Sequence, residues 1–474
     1  MAETESARSP LMELLYLSAP TVAQSVSYTA MQFIDTWMLS RLGTEEPTAA
    51  GNAGMLAFSF ICFGFGIMLV VNTLVSQSYG RGEYNHCGRY LWQGYWVALV
   101  YSILVLPMVL LGPGVFRAAG HSANLSHLEG QYMQIVLSAV LLKMVATASG
   151  QFLLATNRPN SVLVAAVTGV LVNAAVAYAL VFGNWGAPKL GVAGSAWAQN
   201  AGVFTEMCIA TFFSLAFQSR KFGAFDLKPR IHEAIKLVKL GAGAGLQIVA
   251  DVLAWTIFLV AVMAQLGENA MAANQFMFRY MVVSFMPAWG ISQAVTALVG
   301  RYIGMRKLDV AIERAHLGFK VAATYMLLCG MAMALFRYQL IHIFTSEPEV
   351  VRLGAILLIF AGIYQFFDAM YIVYNGALRG AGDTVVPGIV TAVLCWGITV
   401  LGGYLIARYL PNLGVAGPWL ACTAYGILLG VFCFVRFQRG SWKAIHLEGS
   451  ANSNVIMESA KLPITDHRPL ATDS

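Results

Sequence analysis

The chain has 474 residues, 58% of them hydrophobic and 11% charged, with a formal net charge of +6. Soluble domains carry about 25% charged residues, so this composition belongs to a membrane protein and excludes an ordinary soluble enzyme. The positive surplus is not gathered into the basic face that a nucleic-acid partner needs, and no nucleic acid is expected.

In chain order, residues 1–12, "MAETESARSPLM", are polar and lack the basic start and small-residue cleavage site of a signal peptide. The first helix is therefore expected to be retained. Apolar runs long enough to cross a hydrocarbon core of about 30 Å as helix follow at 13–41, 51–80, 91–116, 128–156, 161–184, 191–217, 233–266, 270–303, 313–344, 350–378, 385–409 and 414–437. A β-barrel would alternate polar and apolar residues over short segments, which these runs do not. The expected fold class is an all-α polytopic membrane protein of twelve transmembrane helices. A polar tail over 438–474 closes the chain.

Basic residues sort by side, which sets orientation. Arg81, Arg89, Arg158, Arg220, Lys221, Lys228, Arg230, Lys236, Lys239, Arg301, Arg306, Lys307, Arg314 and Arg379 fall in one set of loops, with Arg436, Arg439 and Lys443 opening the tail. The opposite loops hold Arg41, Arg117, Lys189, Arg352 and Arg408 beside Glu45, Glu46, Glu347 and Glu349. Both termini are expected to be cytoplasmic, in a multi-pass protein of the cell (inner) membrane. The seven cysteines show no C-x-x-C spacing and no zinc-type histidine neighbours, and they read as small packing residues. No cofactor is expected.

The phrase LGVAG occurs at 190–194 and again at 413–417, an offset of 223 residues. Leu74, Val75 and Gly80 lie over Leu298, Val299 and Gly304 at an offset of 224, as do Leu42-Gly43 over Leu266-Gly267. A near-constant offset marks an internal repeat. The long polar interruption at 217–233 falls between the copies, giving two six-helix lobes, 13–217 and 233–437, joined by a linker over 218–232. An even helix number makes them parallel repeats related by an axis along the membrane normal, a plan of secondary transporters whose substrate path lies between the halves.

Ionisable residues at bilayer depth are costly and mark ion or proton paths. Six are expected here: Asp35, Lys143, Glu206, Asp251, Arg279 and Asp368. Tyr364, Asp368, Tyr371 and Asn375 follow i, i+4, i+7, i+11 spacing and form one polar stripe on the tenth span. Gln247, Asp251 and Trp255 repeat the pattern in the seventh, and Gln24, Tyr28, Gln32 and Asp35 lie along a similar line in the first. Lipid cannot satisfy such stripes, so they face protein or a watered cavity. Desolvation there disfavours a charged carboxylate, which equips it to exchange a proton or to hold Na⁺ with neighbouring oxygens.

The segments "QFIDTWMLSRLG", "LVSQSYGRGE", "LVGRYIGMRK", "SFMPAWG" and "GALRGAGDT" resemble the multidrug and toxic compound extrusion (MATE) family, most of all its bacterial NorM branch, over about residues 10–437. The resemblance implies a V-shaped antiporter that expels cationic or amphiphilic organic compounds in exchange for inward Na⁺ or H⁺. It acts by rocking two lobes around a central cavity and works as a monomer in the lipid bilayer. By motif, Asp35 matches the family's first-span aspartate and Asn173 a fifth-span asparagine near it. Asp368 and Tyr364 match the tenth-span cation pair, and Asp251 stands where NorM-like proteins usually carry Glu. Na⁺ is then expected at Asp251, Asp368 and Tyr364. Gln32, Gln247, Trp255, Tyr371, Asn375, Lys143, Glu206 and Arg279 are expected around the cavity. The sequence departs from the family pattern at Ala177, where a second polar residue is common, at the shorter Asp251, and at Lys143 and Arg279. By the repeat, Lys143 occupies the place of Asp368.

The lack of a phosphate loop speaks against a primary pump; "GAGAGL" at 241–246 opens a membrane helix and serves close packing. An intramembrane enzyme would need a nucleophile and base or paired metal ligands, and no H-E-x-x-H occurs. The rival reading is a flippase or exporter of a lipid-linked or anionic metabolite on the same architecture, for which basic residues in the cavity would suit an anionic headgroup.

Overall fold

The computed structural model describes residues 9–43, 45–118, 120–216, 221–223, 226–445 and 447. Most of the N-terminal segment and tail, and part of the linker including Arg220, lie outside the described residues. Helices α1 (Pro10–Ser40), α2 (Glu45–Gly80), α3 (Tyr84–Ala118), α4 (Ala123–Ser138), α5 (Val140–Ala155), α6 (Pro159–Phe182) and α7 (Val192–Ala216) make the first half. The second half comprises α8 (Ile231–Ile257), α9 (Glu268–Gly304), α10 (Leu308–Leu335), α11 (Arg337–His342), α12 (Pro348–Ala381), α13 (Val385–Leu394), α14 (Gly403–Tyr409) and α15 (Ala416–Arg439). A π segment, Phe258–Val262, extends α8, and another, Cys395–Gly402, joins α13 to α14.

By length and apolar composition, nine of the described helical stretches can cross a membrane, and α4 with α5 makes a tenth. The remaining two of the twelve expected spans, α1 and α7, are long but fall short in apolar character because of their polar residues: Gln24, Tyr28, Gln32 and Asp35 on α1, Gln199, Asn200 and Glu206 on α7. The fourth span also differs from the continuous run expected over 128–156. It bends by 47° at Ala139, and the Ile135 carbonyl on the turn before the break accepts from the Asn200 side chain of α7 at 2.6 Å. The ninth expected span likewise divides, into α10 and the short α11.

Local chemistry explains the helix ends. Ser9 caps α1 through the Met12 amide, with Pro10 at the first helical position where no donor is missed. The repeated LGVAG phrase works as a turn and a contact. Gly191 and Gly414 take left-handed φ values of +56° and +50° just before α7 and α15, conformations that only glycine adopts freely. Three residues on, a Cβ at Gly194 would meet the Leu180 carbonyl at 2.7 Å, and one at Gly417 would meet Ile406 at 2.7 Å.

Two hydrophobic clusters form the core. One draws mainly on residues 254–442 and the other on residues 38–222. Each recruits the opening turns of the other half's first helix: Leu14 and Leu17 of α1 join the 254–442 cluster, and Leu237 and Ala244 of α8 join the 38–222 cluster. Further along, α1 returns to its own half through Asp35 and α6, while α8 returns through Asp251 and α15. Both helices thus cross between the lobes.

Contacts across the halves concentrate at one end. Thr73 donates to the Arg379 carbonyl at 2.8 Å and Gln77 to the Gly380 carbonyl at 3.0 Å. Glu13 accepts from Arg314 at 2.7 Å and from Tyr302 at 2.8 Å. Gly80 of α2 meets Gly304 of α9 so closely that a side chain on either would strike the backbone carbonyl of Arg301 or Gln77. Towards the other end, α1 and α9 leave an apolar cleft of about 390 Å³ lined by Val26, Thr29, Phe33, Ile34, Val283 and Met286. It lies on the face of α1 opposite Asp35.

Candidate functional site

In the second half, Asp251 of α8 is held at both carboxylate oxygens. Tyr425 of α15 donates to Oδ1 at 2.7 Å, and Tyr371 of α12 donates to Oδ2 at 3.2 Å. Tyr371 in turn accepts from Gln247 at 3.0 Å, Gln247 also donates to Thr391 at 2.9 Å, and Asn375 donates to Gln247 Oε1 at 3.3 Å. The polar stripes of α8 and α12 therefore face one another, as the lipid argument requires. Trp255 stands at the edge of this group with its ring 6.3 Å from Tyr364 and 6.5 Å from Tyr425.

Asp368, one turn beyond Tyr364 on α12, is 7% exposed. Among the described residues it has neither a hydrogen-bond donor nor an ion-pair partner, and no basic side chain approaches Asp251 either. Two carboxylates near enough to interact electrostatically are thus surrounded by phenols and amides. Oxygens so arranged suit a small cation, whose charge would offset the desolvation of both acids.

The first half is built differently. Asn173 of α6 donates to Asp35 Oδ2 at 3.4 Å, while Oδ1 is buried without a partner. Ala177, one turn further along α6, is fully buried and offers no donor. Nearer the middle of α1, Tyr28 donates to Glu206 of α7 and accepts from Gln24 at 3.4 Å. The Lys143 ammonium of α5 lies over the Tyr28 ring, 4.9 Å from its centroid. Lys143 thus reaches Glu206 through the phenol; among the described residues it forms no ion pair. Gln32 is exposed, and Arg279 is exposed on α9 and joins neither group.

Several participants carry no distinguishing mark in the sequence. Tyr425 sits alone in the apolar run "TAYGILLG" with no stripe to mark it. Thr391 resembles any small helix residue. Cys395, which by sequence reads as a small packing residue, places its thiol beside Asp251, and no residue pattern signals its place at the start of a π segment, a feature frequent at functional sites.

Comparison with known proteins fits this geometry. The MatE family model matches residues 20–179 and 248–405, one block in each half. The chain belongs to the MatE family. As a MATE protein it is a multi-pass membrane transporter and not an enzyme. It is 29% identical over 449 residues to a probable multidrug resistance protein NorM of Mesorhizobium japonicum, covering 91% of this chain and 94% of that one. A probable NorM of Neisseria meningitidis serogroup B is 30% identical over 419 residues, with 87% and 90% covered. Among solved structures, the outward-facing conformation of a multidrug resistance MATE family transporter superposes with a TM-score of 0.81 at 19% identity, covering 94% of this chain and 98% of that one. The fold of this MATE chain is therefore that of the known transporters.

Proposed function

We propose that this MATE protein is a secondary antiporter that exports cationic or amphiphilic organic compounds in exchange for inward Na⁺ or H⁺, with the main coupling site in the second lobe. The observation that carries this reading is the pair Asp251 and Asp368: two carboxylates within the helix bundle, set among phenols and amides, with no ion-pairing base among the described residues. Na⁺ or a proton would bind there, with Tyr364 and Asp368 on one side and the phenol-held Asp251 on the other. The lobes run over 13–217 and 233–437, joined at 218–232. The closed end, rich in Arg81, Arg301 and Arg306, faces the cytoplasm with both termini, and the cleft faces outward. The NorM relatives' names support the drug-efflux part of the reading, and their bacterial source supports the cell membrane as its place.

Transport in proteoliposomes tests this. An imposed Na⁺ or pH gradient should drive a fluorescent organic cation, and Asp368→Asn and Asp251→Asn should each abolish the gradient dependence. Movement of a lipid-linked anion, with no cation moved under either gradient, would overturn the proposal in favour of a flippase.

A further inference from the structure

We infer that the face of Tyr28 and the carboxylate of Glu206 form a binding site for the ammonium group of an organic cation, and that Lys143 is a built-in cation that fills this site until substrate displaces it. The inference rests on the proposed export of organic cations and adds where one is recognised.

The parts are those that hold an alkylammonium. An aromatic face attracts a cation through its quadrupole, and Tyr28 already carries one, the Lys143 ammonium 4.9 Å from the ring centroid. The ring is fixed at its far end by the hydrogen bond to Glu206, with Gln24 donating to the same phenol oxygen. Glu206 is 8% exposed and among the described residues makes no ion pair, so its negative charge is answered only by the phenol and by the ammonium beyond it. An acid and an aromatic face are thus presented together, and the cation that the described residues set there is tethered.

The tether is suited to release. Lys143 lies in the first turn of α5, next to the break at Ala139 that turns this helix by 47°. The break is held by Asn200 on the Ile135 carbonyl, so the Lys143 backbone is anchored while its four-carbon stem is free to swing. Its side chain is half-buried. A displaced ammonium therefore reaches water along its own stem, whereas a lysine locked to a carboxylate would leave an unpaired buried charge. A substrate ammonium that takes its place regains the ring and the acid. The first lobe thereby holds a cation in either condition, its own or the cargo's.

The probe is ethidium, measured by fluorescence titration on the full-length protein in lipid nanodiscs, with thermal unfolding run alongside to show that each variant is folded. Lys143→Met removes the competitor and should tighten ethidium binding at least fivefold; Lys143→Arg restores a cation and should return it to the wild-type value. Glu206→Gln should weaken binding about tenfold. Tyr28→Leu should do the same, while Tyr28→Phe, which keeps the face, should lose less. Ethidium binding to Lys143→Met that is unchanged or weaker than wild type would overturn the inference, as would a folded Tyr28→Leu that binds normally. If wild-type protein moves no organic cation in proteoliposomes, the export reading itself fails. If it does move one and Lys143→Met binds no tighter, the inference falls while the export reading stands.

Discussion

Each lobe joins a tyrosine on one helix to a carboxylate on another, but the two lobes assign these groups in opposite order. In the second lobe the acid is on the opening helix (Asp251, α8) and the tyrosine on the closing one (Tyr425, α15); in the first the tyrosine opens (Tyr28, α1) and the acid closes (Glu206, α7). The tenth span then adds an acid, Asp368, where the fourth adds a base, Lys143. Among the described residues, the second-lobe site is left with two carboxylates and no ion-pairing base, whereas the first lobe sets its own ammonium beside Glu206. In the proposed reading, one repeat yields a site that needs a cation from outside and another that carries one. The distortions follow the same division: π segments flank the Asp251 site, and a helix break adjoins Lys143.

If the comparison holds, the largest effect of any single change belongs to Asp368. Asp368→Asn should lower gradient-driven efflux about a hundredfold, because a neutral amide neither takes up a proton nor offers Na⁺ a charge. Glu206→Gln should leave the dependence of transport on the ion gradient in place while raising the substrate concentration needed for half-maximal efflux. Initial rates in proteoliposomes, measured against both ion gradient and substrate, separate these outcomes. A Glu206→Gln protein uncoupled from the gradient, beside a coupled Asp368→Asn, would reverse the roles of the lobes.

A smaller change sharpens the comparison at the tyrosines. Tyr425→Phe removes the donor at 2.7 Å from Asp251 Oδ1, and a hydrogen bond to a charged group contributes about 2 kcal/mol. Spread wholly onto ion binding, that is roughly thirtyfold in the apparent affinity for the coupling ion. Tyr28→Phe, the same change in the other lobe, should leave that affinity where it was. Equal shifts in the two variants would mean that the tyrosines support packing in both lobes and coupling in neither.

The sequence made the helices and the acids readable because each is a local signal: an apolar run of sufficient length, or a charge inside one. It also placed the α8 and α12 stripes, whose spacing predicts one face each, and the structure sets those faces together. What escaped was set by contacts between distant residues. Nothing in "QIVLSAVLLKM" signals a helix break, since it holds neither Pro nor Gly; the break depends on Asn200, from another helix. Tyr425 acquires meaning only when α15 packs on α8. The crossing of α1 and α8 onto opposite lobes was likewise hidden, because Leu14, Leu17 and Leu237 look like any core leucine until their neighbours are known.

The smallest effect expected is at the break itself. Asn200→Ala deprives the Ile135 carbonyl of its donor at 2.6 Å, and interhelical hydrogen bonds of this kind contribute on the order of 1 kcal/mol in membranes. Thermal unfolding in nanodiscs should therefore fall by only a few degrees, too little to explain a functional loss through unfolding. The first lobe should nonetheless respond where the second does not. Without the anchor the fourth span can straighten, which turns Lys143 away from the Tyr28 ring and empties the site of its own cation. Substrate affinity would then shift in the same direction as in Lys143→Met, with the coupling-ion dependence set by Asp251 and Asp368 unchanged. A change in that ion dependence in Asn200→Ala would show that the two lobes are not chemically separate, and would undo the division on which the comparison rests.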